Sequence, residues 1–567
     1  MRRTVLSGLL LVMTSTPAAQ GPGDRPAPNL RATRSAVLAQ NGMVATSQPL
    51  ASAAALRVLQ DGGNAVDAAI TAAAVLAVVE PTMNGLGGDL FAILYDARRG
   101  TIRGLNASGR SPALATLEEF RRRRLDAIPV RGELSISVPG VVDGWHELLS
   151  AHGTIPLSKA LEPAIRYARE GYGVAEIVAQ EWKEAATVLA QDSNAAAVFL
   201  PGGRPPAHGE VFRNPALART LEQIAAGGRD AFYRGPIARA IAADMKRRNG
   251  LLTEADLAAH ASDWLDPIST TYRGYEVLEL PPNTQGISAL QMLNILEGFD
   301  VRSLGHNTAA YLHLLVEAKR IAFADREAYQ ADLDAVPGDV IARLISKEYA
   351  AQRRKEIDPD RAASQYPPMA SSTSARSGPA PSWPARGDTI YLTVADKDGN
   401  VISLIQSIFL NFGSGVVAGD TGIVLHNRGH LFSLDPKHPN VLAPRKRPFH
   451  TLLPAMVMKD GLPWLSFGVM GGDMQPQGHV QVLLNLIDFG MNLQEAGEAA
   501  RFRHSAEGLA LESAISAEAR AGLTLRGHHV ITSIGVFGGF QGILFDRARR
   551  LMIGGSDPRK DGLAIGY

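Results

Sequence analysis

The 567-residue chain has no cysteine. That excludes disulfide staples, cysteine metal sites, thiol catalysis and lipid attachment at cysteine. It also lacks charge of one sign: 57 Lys and Arg stand against 56 Asp and Glu, a formal net charge of +1. With no basic stripe interleaved with aromatics, nucleic acid is not an expected partner. Long apolar runs are missing as well. The N-terminal run Val5–Met13 is too short to cross a bilayer. Preceded by Arg2 and Arg3 and followed by Thr16-Pro17-Ala18-Ala19, it reads as a signal peptide over residues 1–19, cleaved near Ala18 or Ala19, with a retained anchor as the lesser alternative. Cleavage there predicts a periplasmic or secreted protein with no membrane attachment. In such an oxidising compartment a cysteine-free chain must rely on packing alone. The 14 histidines show no clustered ligand spacing, so neither a metal nor an organic cofactor is expected.

Core material is plentiful, at 46% hydrophobic and 20% charged residues, which marks a globular protein. By length the chain fits roughly four average domains or one large α/β unit. Gly42 to Val79 is Ala-rich with helical spacing and reads as two packed helices broken at Gly62-Gly63-Asn64, with Asn64 a possible N-cap. A strand is expected at 90–95, a mostly helical stretch over 156–263, a strand at 272–280, and helices at 286–298 and 309–329. Strands then dominate (389–396, 401–410, 454–459, 463–470, 529–534, 541–547), with helices near 480–489 and 493–501. This layout suits sheets packed between helical outer layers.

The run from about 359 to 388 is dense in Pro, Ser, Ala and Gly without helical or strand period, and reads as exposed linker. It ends at Thr389, which opens a sharply patterned hairpin. Lys397-Asp398-Gly399 fits a three-residue loop closed by Gly in the left-handed conformation. That register pairs 396 with 400, 394 with 402, 392 with 404 and 389 with 407. One face carries Leu392, Val394, Ile402 and Leu404; the other carries Thr389, Thr393, Ser403 and Ser407. A one-residue slip would mix the two, so the pattern selects this pairing and sets Thr389 beside Ser407. Thr–Ser pairs also decorate many solvent-facing sheet surfaces, so the pairing alone does not make a site.

Two further motifs bear on chemistry. Gly471-Gly472-Asp473 follows a strand and precedes a helix beginning near Pro476. Paired glycines there free backbone N–H groups for a ligand, and a helix N-terminus favours developing negative charge; an ordinary strand-to-helix turn has the same look. His450-Thr451, after the basic Arg445-Lys-Arg-Pro448, offers polar lining, although an isolated His is more often structural.

Many separate motifs in matching order make the chain similar to the γ-glutamyltransferase family of N-terminal-nucleophile hydrolases, from about Asn41 to Tyr567. They include Gly62-Gly-Asn-Ala-Val-Asp-Ala-Ala69, Asn84-Gly-Leu-Gly-Gly-Asp89, Pro281-Pro-Asn-Thr-Gln-Gly286, Ala324-Asp325-Arg326, Phe412-Gly-Ser-Gly415, Gly471-Gly472 and Gly555-Ser-Asp-Pro-Arg559. The resemblance implies an α+β, four-layer αββα sandwich built from two fragments of one autocleaved precursor. Cleavage would fall at Asp388–Thr389, leaving a large subunit (20–388) and a small one (389–567) paired as a heterodimer. Thr389 would then be the N-terminal nucleophile. Its freed α-amine, with a reference pKa of about 7.7–8.0, would serve as base. Ser407 would hydrogen-bond the nucleophile, and the N–H groups of Gly471 and Gly472 would form the oxyanion hole. Arg110, Asn427, His450, Thr451 and Asp473 would line the substrate site. The implied substrate is a small γ-glutamyl or related acyl amide, with water or an amine as acceptor.

The departures from the family pattern fall in the donor pocket. Phe409 stands where an Asn is usual and Leu431 where an Asp pairs with the donor α-amine. His450-Thr451 replaces a Ser-Ser pair. The carboxylate-clamping Arg falls at Ser108, with Arg110 two residues away, and Pro439–Pro448 lacks the lid-forming residues of many members. Losing a buried ion pair costs a charged α-amine several kcal/mol of binding, whereas a glutaryl-type acyl group suffers less. Two enzymatic readings therefore stand: a γ-glutamyl hydrolase or transferase, and an acylase of the same machinery acting on glutaryl or other acyl amides, β-lactam side chains included. A catalytically silent binding protein on the same fold is a third reading.

Overall fold

The computed structural model describes residues 32–369 and 388–567. The expected signal peptide and most of the expected linker lie outside them. Residues 359–369 carry no helix or strand, as expected. They are not exposed throughout, however: Tyr366 and Met369 are buried, the Tyr366 hydroxyl donates to Glu317 at 2.7 Å, and the Met369 N–H donates to Asp325. Composition foresaw the irregular backbone but not the two apolar side chains that anchor it.

Two seven-stranded antiparallel sheets form the middle of the molecule. The first runs Leu563–Gly566, Gly42–Thr46, Asp388–Asp396, Val401–Phe409, Asp89–Asp96, Thr101–Ala107, Asp263–Leu265. The second runs Val37–Ala39, Leu551–Ser556, Phe540–Asp546, Leu462–Val469, Ala455–Lys459, Tyr275–Glu279, Ile268–Tyr272. Phe91, Ile93, Tyr391, Ile405, Met456 and Ile543 fill the space between the sheets. Leu392, Val394, Ile402 and Leu404 face the other way, into a core shared with the helices Ala65–Val79 and Leu157–Glu170. The outer face of the second sheet packs Val277, Val457, Leu465 and Phe467 against the helices Gly286–Leu296, Ala309–Tyr329 and Met474–Ile487. The expected αββα order is thus present.

Local chemistry explains the elements nearest the site. Helix Ala65–Val79 is buried at every position; its many alanines let it lie close to the sheet. Asn64 caps it, accepting from the N–H groups of Val66 and Asp67, while the Asp67 carboxylate accepts from the Asn64 N–H. The hairpin turn forms as the sequence predicts, with Gly399 at φ +87°. The Asp396 carboxylate accepts from the N–H groups of Asp398, Asn400 and Ala65, tying the turn to the helix start. One segment departs from expectation. Gly42–Thr46 is a strand, not helix, pairing with Asp396–Leu392 on one side and Leu563–Gly566 on the other; its alanine made helix the obvious reading, and the ladder overrode it.

The hairpin register matches from 390↔406 through 395↔401. At the open end it shifts: Asp388 pairs with Phe409, so Ser407 and Ile408 together oppose Thr389. A bulge therefore replaces the expected one-to-one pair at the end that matters chemically. The hydroxyl stripe does not face solvent. Thr393 Oγ1 and Ser466 Oγ of the second sheet lie 2.7 Å apart, as do the Tyr391 hydroxyl and Ser403 Oγ.

Candidate active site

Thr389 sits at this bulge, in the interior of the first sheet. It is 1% exposed, and among the described residues its Oγ1 is buried with no hydrogen-bond partner. A buried hydroxyl left unsatisfied costs stability, which makes it a candidate reactive group. Ser407 Oγ accepts from the Phe409 N–H at 2.8 Å and from Arg428 Nη2 at 3.0 Å. Phe409, which closes the bulge, holds φ +78°; such strain in a bulky residue clusters at functional sites.

Arg428 joins this hydroxyl to a second one, since its Nη1 donates to Thr451 Oγ1 at 2.8 Å. The guanidinium is fully buried, and burial pulls its pKa down to about 9, with the Asp89 charge acting in the opposite sense. Asp89 pairs with Ser407 across the ladder. Burial alone would raise its pKa, but His426, His450 and Arg428 together hold it near about 2. Its Oδ1 accepts from the Gly109 N–H at 2.9 Å. Its Oδ2 lies 3.0 Å from His450 Nε2, while His450 Nδ1 accepts from the Leu452 N–H at 3.3 Å. These partners assign the Nε2–H tautomer. Burial first, and the Arg428 charge second, push His450 down to about 3, so near neutrality it is an uncharged donor and no proton shuttle.

The glycine pair lies one step further along the same network. Gly471 and Gly472 take φ +109° and +59°, and their carbonyls accept from the N–H groups of Met474 and Gln475. Among the described residues neither glycine N–H donates to a backbone partner. Two neighbouring donors at the head of helix Met474–Ile487 can thus receive an oxyanion. Gln285 locks the loop in place, donating from Nε2 to Thr451 O (2.8 Å) and Gly472 O (2.9 Å) while its Oε1 accepts from Arg326 (2.9 Å). An unbroken path of hydrogen bonds therefore runs from Ser407 through Arg428, Thr451 and Gln285 to Gly472. The arrangement suits nucleophilic attack by a hydroxyl on a carbonyl, with stabilisation of the resulting anion.

The family profile for gamma-glutamyltranspeptidase matches residues 51–567. The chain belongs to the γ-glutamyltranspeptidase family. It is similar to the glutathione hydrolase-like YwrD proenzyme of Bacillus subtilis, at 39% identity over 541 residues, covering 94% of this chain and 99% of that one. It is also similar to the acylase ACY 1 proenzyme of Pseudomonas sp. strain SE83, at 39% over 520 residues, covering 89% and 90%. Among solved structures it resembles cephalosporin acylase from Bacillus halodurans, with a TM-score of 0.88 at 41% identity, over 97% of this chain and 99% of that one. The family resemblance and sandwich read from the sequence are borne out, and the chain is an enzyme of the amidohydrolase and transpeptidase kind.

Within this family enzyme the expected site residues divide. Thr389, Ser407, Thr451, His450 and the two glycines fall along one connected region. Asp473 follows the glycines and pairs with Arg326 at 2.7 Å; burial opposes its ionisation, but Arg326 outweighs it and holds the carboxyl below its ordinary range. Asn427 spends both amide ends on backbone, Oδ1 accepting from the Leu410 N–H and Nδ2 donating to Val130 O, which fixes the end of the nucleophile hairpin. Arg110 is engaged elsewhere, with Asp263 at 3.3 Å and Asp332 at 3.6 Å. Asp89, Gln285 and Arg326 lay in motifs that carried the resemblance, without a role assigned to them. Arg428 carried no such signal.

Proposed function

We propose that this enzyme is an autoprocessed amide hydrolase or acyltransferase whose nucleophile is Thr389. In the precursor, Oγ1 attacks the Asp388 carbonyl, the C–N bond breaks, the nitrogen takes the hydroxyl proton, and an ester links the two halves. Water then hydrolyses that ester, freeing the Asp388 carboxyl and the Thr389 hydroxyl beside the α-amine released in the first step. In turnover the α-amine accepts the Oγ1 proton as the hydroxyl attacks a donor amide, and passes it to the departing amine. Gly471 and Gly472 hold the oxyanion, and water or an amine resolves the acyl-Thr ester. The products of maturation are a 20–388 and a 389–567 fragment, paired, with residues 1–19 removed on export to the periplasm or beyond. No helix among the described residues is long and apolar enough to cross a membrane.

The observation that supports this most directly is the buried, partnerless Thr389 hydroxyl beside Ser407 at a bulge. For the donor, the apolar cluster of Phe409, Leu410, Leu431 and Phe449 favours the acylase reading over a strict γ-glutamyl one. Leu431 in that cluster offers no carboxylate where the family usually has an Asp for the α-ammonium, and an unpaired buried ammonium is costly. Mass measurement of purified protein tests the core claim. Wild type should appear as two fragments, the smaller beginning at Thr389, while Thr389→Ala stays uncut and inactive. A Thr389→Ala chain that still splits at this position would refute the assignment, and an uncut, inert wild type would favour a binding protein.

A further inference from the structure

Among the described residues Arg428 has hydrogen bonds but no carboxylate in contact with it. Its side chain is fully buried, and both η nitrogens are spent on neutral hydroxyls, Thr451 Oγ1 and Ser407 Oγ. Among the described residues its Nε–H has no partner. The guanidinium lies over the Phe409 ring, 4.5 Å from the centroid, and among the described residues no carboxylate comes within ion-pairing distance of it. Asp89, the acid whose field it feels, already serves His450 and Gly109 and stands beside His426. Leu431, at the other end of the same short 3₁₀ turn Arg428–Leu431, packs with Phe409 and Phe449.

A buried guanidinium with no anion in contact is expensive, because hydroxyl acceptors satisfy its N–H groups but leave its charge to the more distant Asp89. Tying two side chains together does not require a cation. An incoming carboxylate does, and guanidinium geometry is suited to it. The position narrows the choice of anion. Ser407, which accepts from Arg428, opposes Thr389 across the bulge, so a carboxylate at Arg428 and a carbonyl at Thr389 belong to one short acyl chain.

We propose that Arg428 is the binding site for a carboxylate at the distal end of the donor's acyl group. The substrate class is then the half-amide of a short dicarboxylic acid, its methylenes against Phe409 and Leu431, without an α-ammonium. The proposal rests on Thr389 as nucleophile.

The test compares glutaryl p-nitroanilide with valeryl p-nitroanilide, equal in chain length but lacking the carboxylate, and with the γ-glutamyl compound. Each is run on cleaved wild-type enzyme and on Arg428→Gln and Arg428→Lys. Wild type should favour glutaryl over valeryl in kcat/KM by about 100-fold or more, the scale of truncating one partner of a buried charge pair. It should also favour glutaryl over γ-glutamyl. Arg428→Gln should collapse the glutaryl/valeryl ratio toward one, and Arg428→Lys should restore part of it. If both donors fall together and the ratio is unmoved, Arg428 only holds Ser407 and Thr451 in place and the proposal is overturned. Should Arg428→Gln fail to fold or cleave, wild type decides alone: a ratio below about ten, or a preference for γ-glutamyl over glutaryl, overturns it. Cleaved wild type that hydrolyses valeryl anilide without glutaryl preference sinks this site and leaves the nucleophile standing. Cleaved wild type that hydrolyses none of the three sinks both.

Discussion

Gly471 offers a way to separate catalysis from architecture. Its φ of +109° lies where L side chains rarely go. A Cβ placed there comes within 3.1 Å of Met474 Cβ and 3.2 Å of Gly538 Cα; the second is backbone and cannot rotate away. Gly471→Ala must therefore shift the loop, and the N–H moves with it. The strain costs about 1–3 kcal/mol of stability. Loss of one oxyanion donor costs about 2.7–4 kcal/mol of transition-state stabilisation, or roughly 10²–10³ in kcat. The matched control is Gly461, at φ +76° in the Asp460-Gly461 turn, where a Cβ meets nothing within 4 Å. Gly461→Ala carries backbone strain of the same order, far from any oxyanion. Both variants are cleaved, assayed on an acyl anilide for kcat and KM, and melted in urea. The expected result is a similar drop in urea midpoint for both, with a kcat loss of at least about 100-fold for Gly471→Ala alone. Gly471→Ala enzyme that keeps kcat within about threefold of wild type, with its midpoint lowered like the control's, would refute the oxyanion assignment.

Leu431→Asp should raise the γ-glutamyl/glutaryl ratio by about tenfold or more, because a carboxylate beside the donor's α-amine supplies the missing pair; an unchanged ratio of kcat/KM values removes Leu431 as a determinant. Asp396→Ala should lower stability by roughly 2–4 kcal/mol, since three backbone N–H groups lose their acceptor, with kcat of the cleaved enzyme unaltered; urea titration and steady-state assays check both parts. Acid should destabilise the fold. His450 is held near about 3 by burial, whereas the unfolded chain takes up that proton near about 6.5, so stability falls as pH drops between these values, by up to about 1.4 kcal/mol per unit. Asp89, depressed to about 2, adds a loss in the same direction below about 4. His450→Gln should flatten the slope of urea stability between about pH 6.5 and 3, and an identical slope would contradict the neutral, buried imidazole.

What could be read from the sequence was whatever depended on local period and turn chemistry. Asp396 to Asn400 announced its own turn, and the alternation of Leu392, Val394, Ile402 and Leu404 fixed the register up to Ile390. The bulge at Thr389 was not legible, because it is closed by a phenylalanine at positive φ, and phenylalanine advertises no such conformation. The face carrying Thr393 and Ser403 looked like a solvent surface because hydroxyls suit water; only the opposing Ser466 reveals a buried one. Residues 359–369 looked like linker by composition, yet Tyr366 and Met369 pin them down. Arg428 shows the limit best. A single arginine between Asn427 and Gly429 says nothing of burial, and its meaning depends on hydroxyls 21 and 23 positions away in the chain.

The order of strands has a consequence for the matured protein. In the first sheet the segments after residue 388 occupy the first, third and fourth places, and those before it occupy the second and the last three; in the second sheet four adjacent strands after residue 388 are flanked by one earlier strand on one edge and two on the other. Severing the chain at 388–389 would therefore yield no pair of detachable halves, but two polypeptides woven through each other. Native chromatography would carry them as one species, and pulling them apart would mean unravelling both sheets at once.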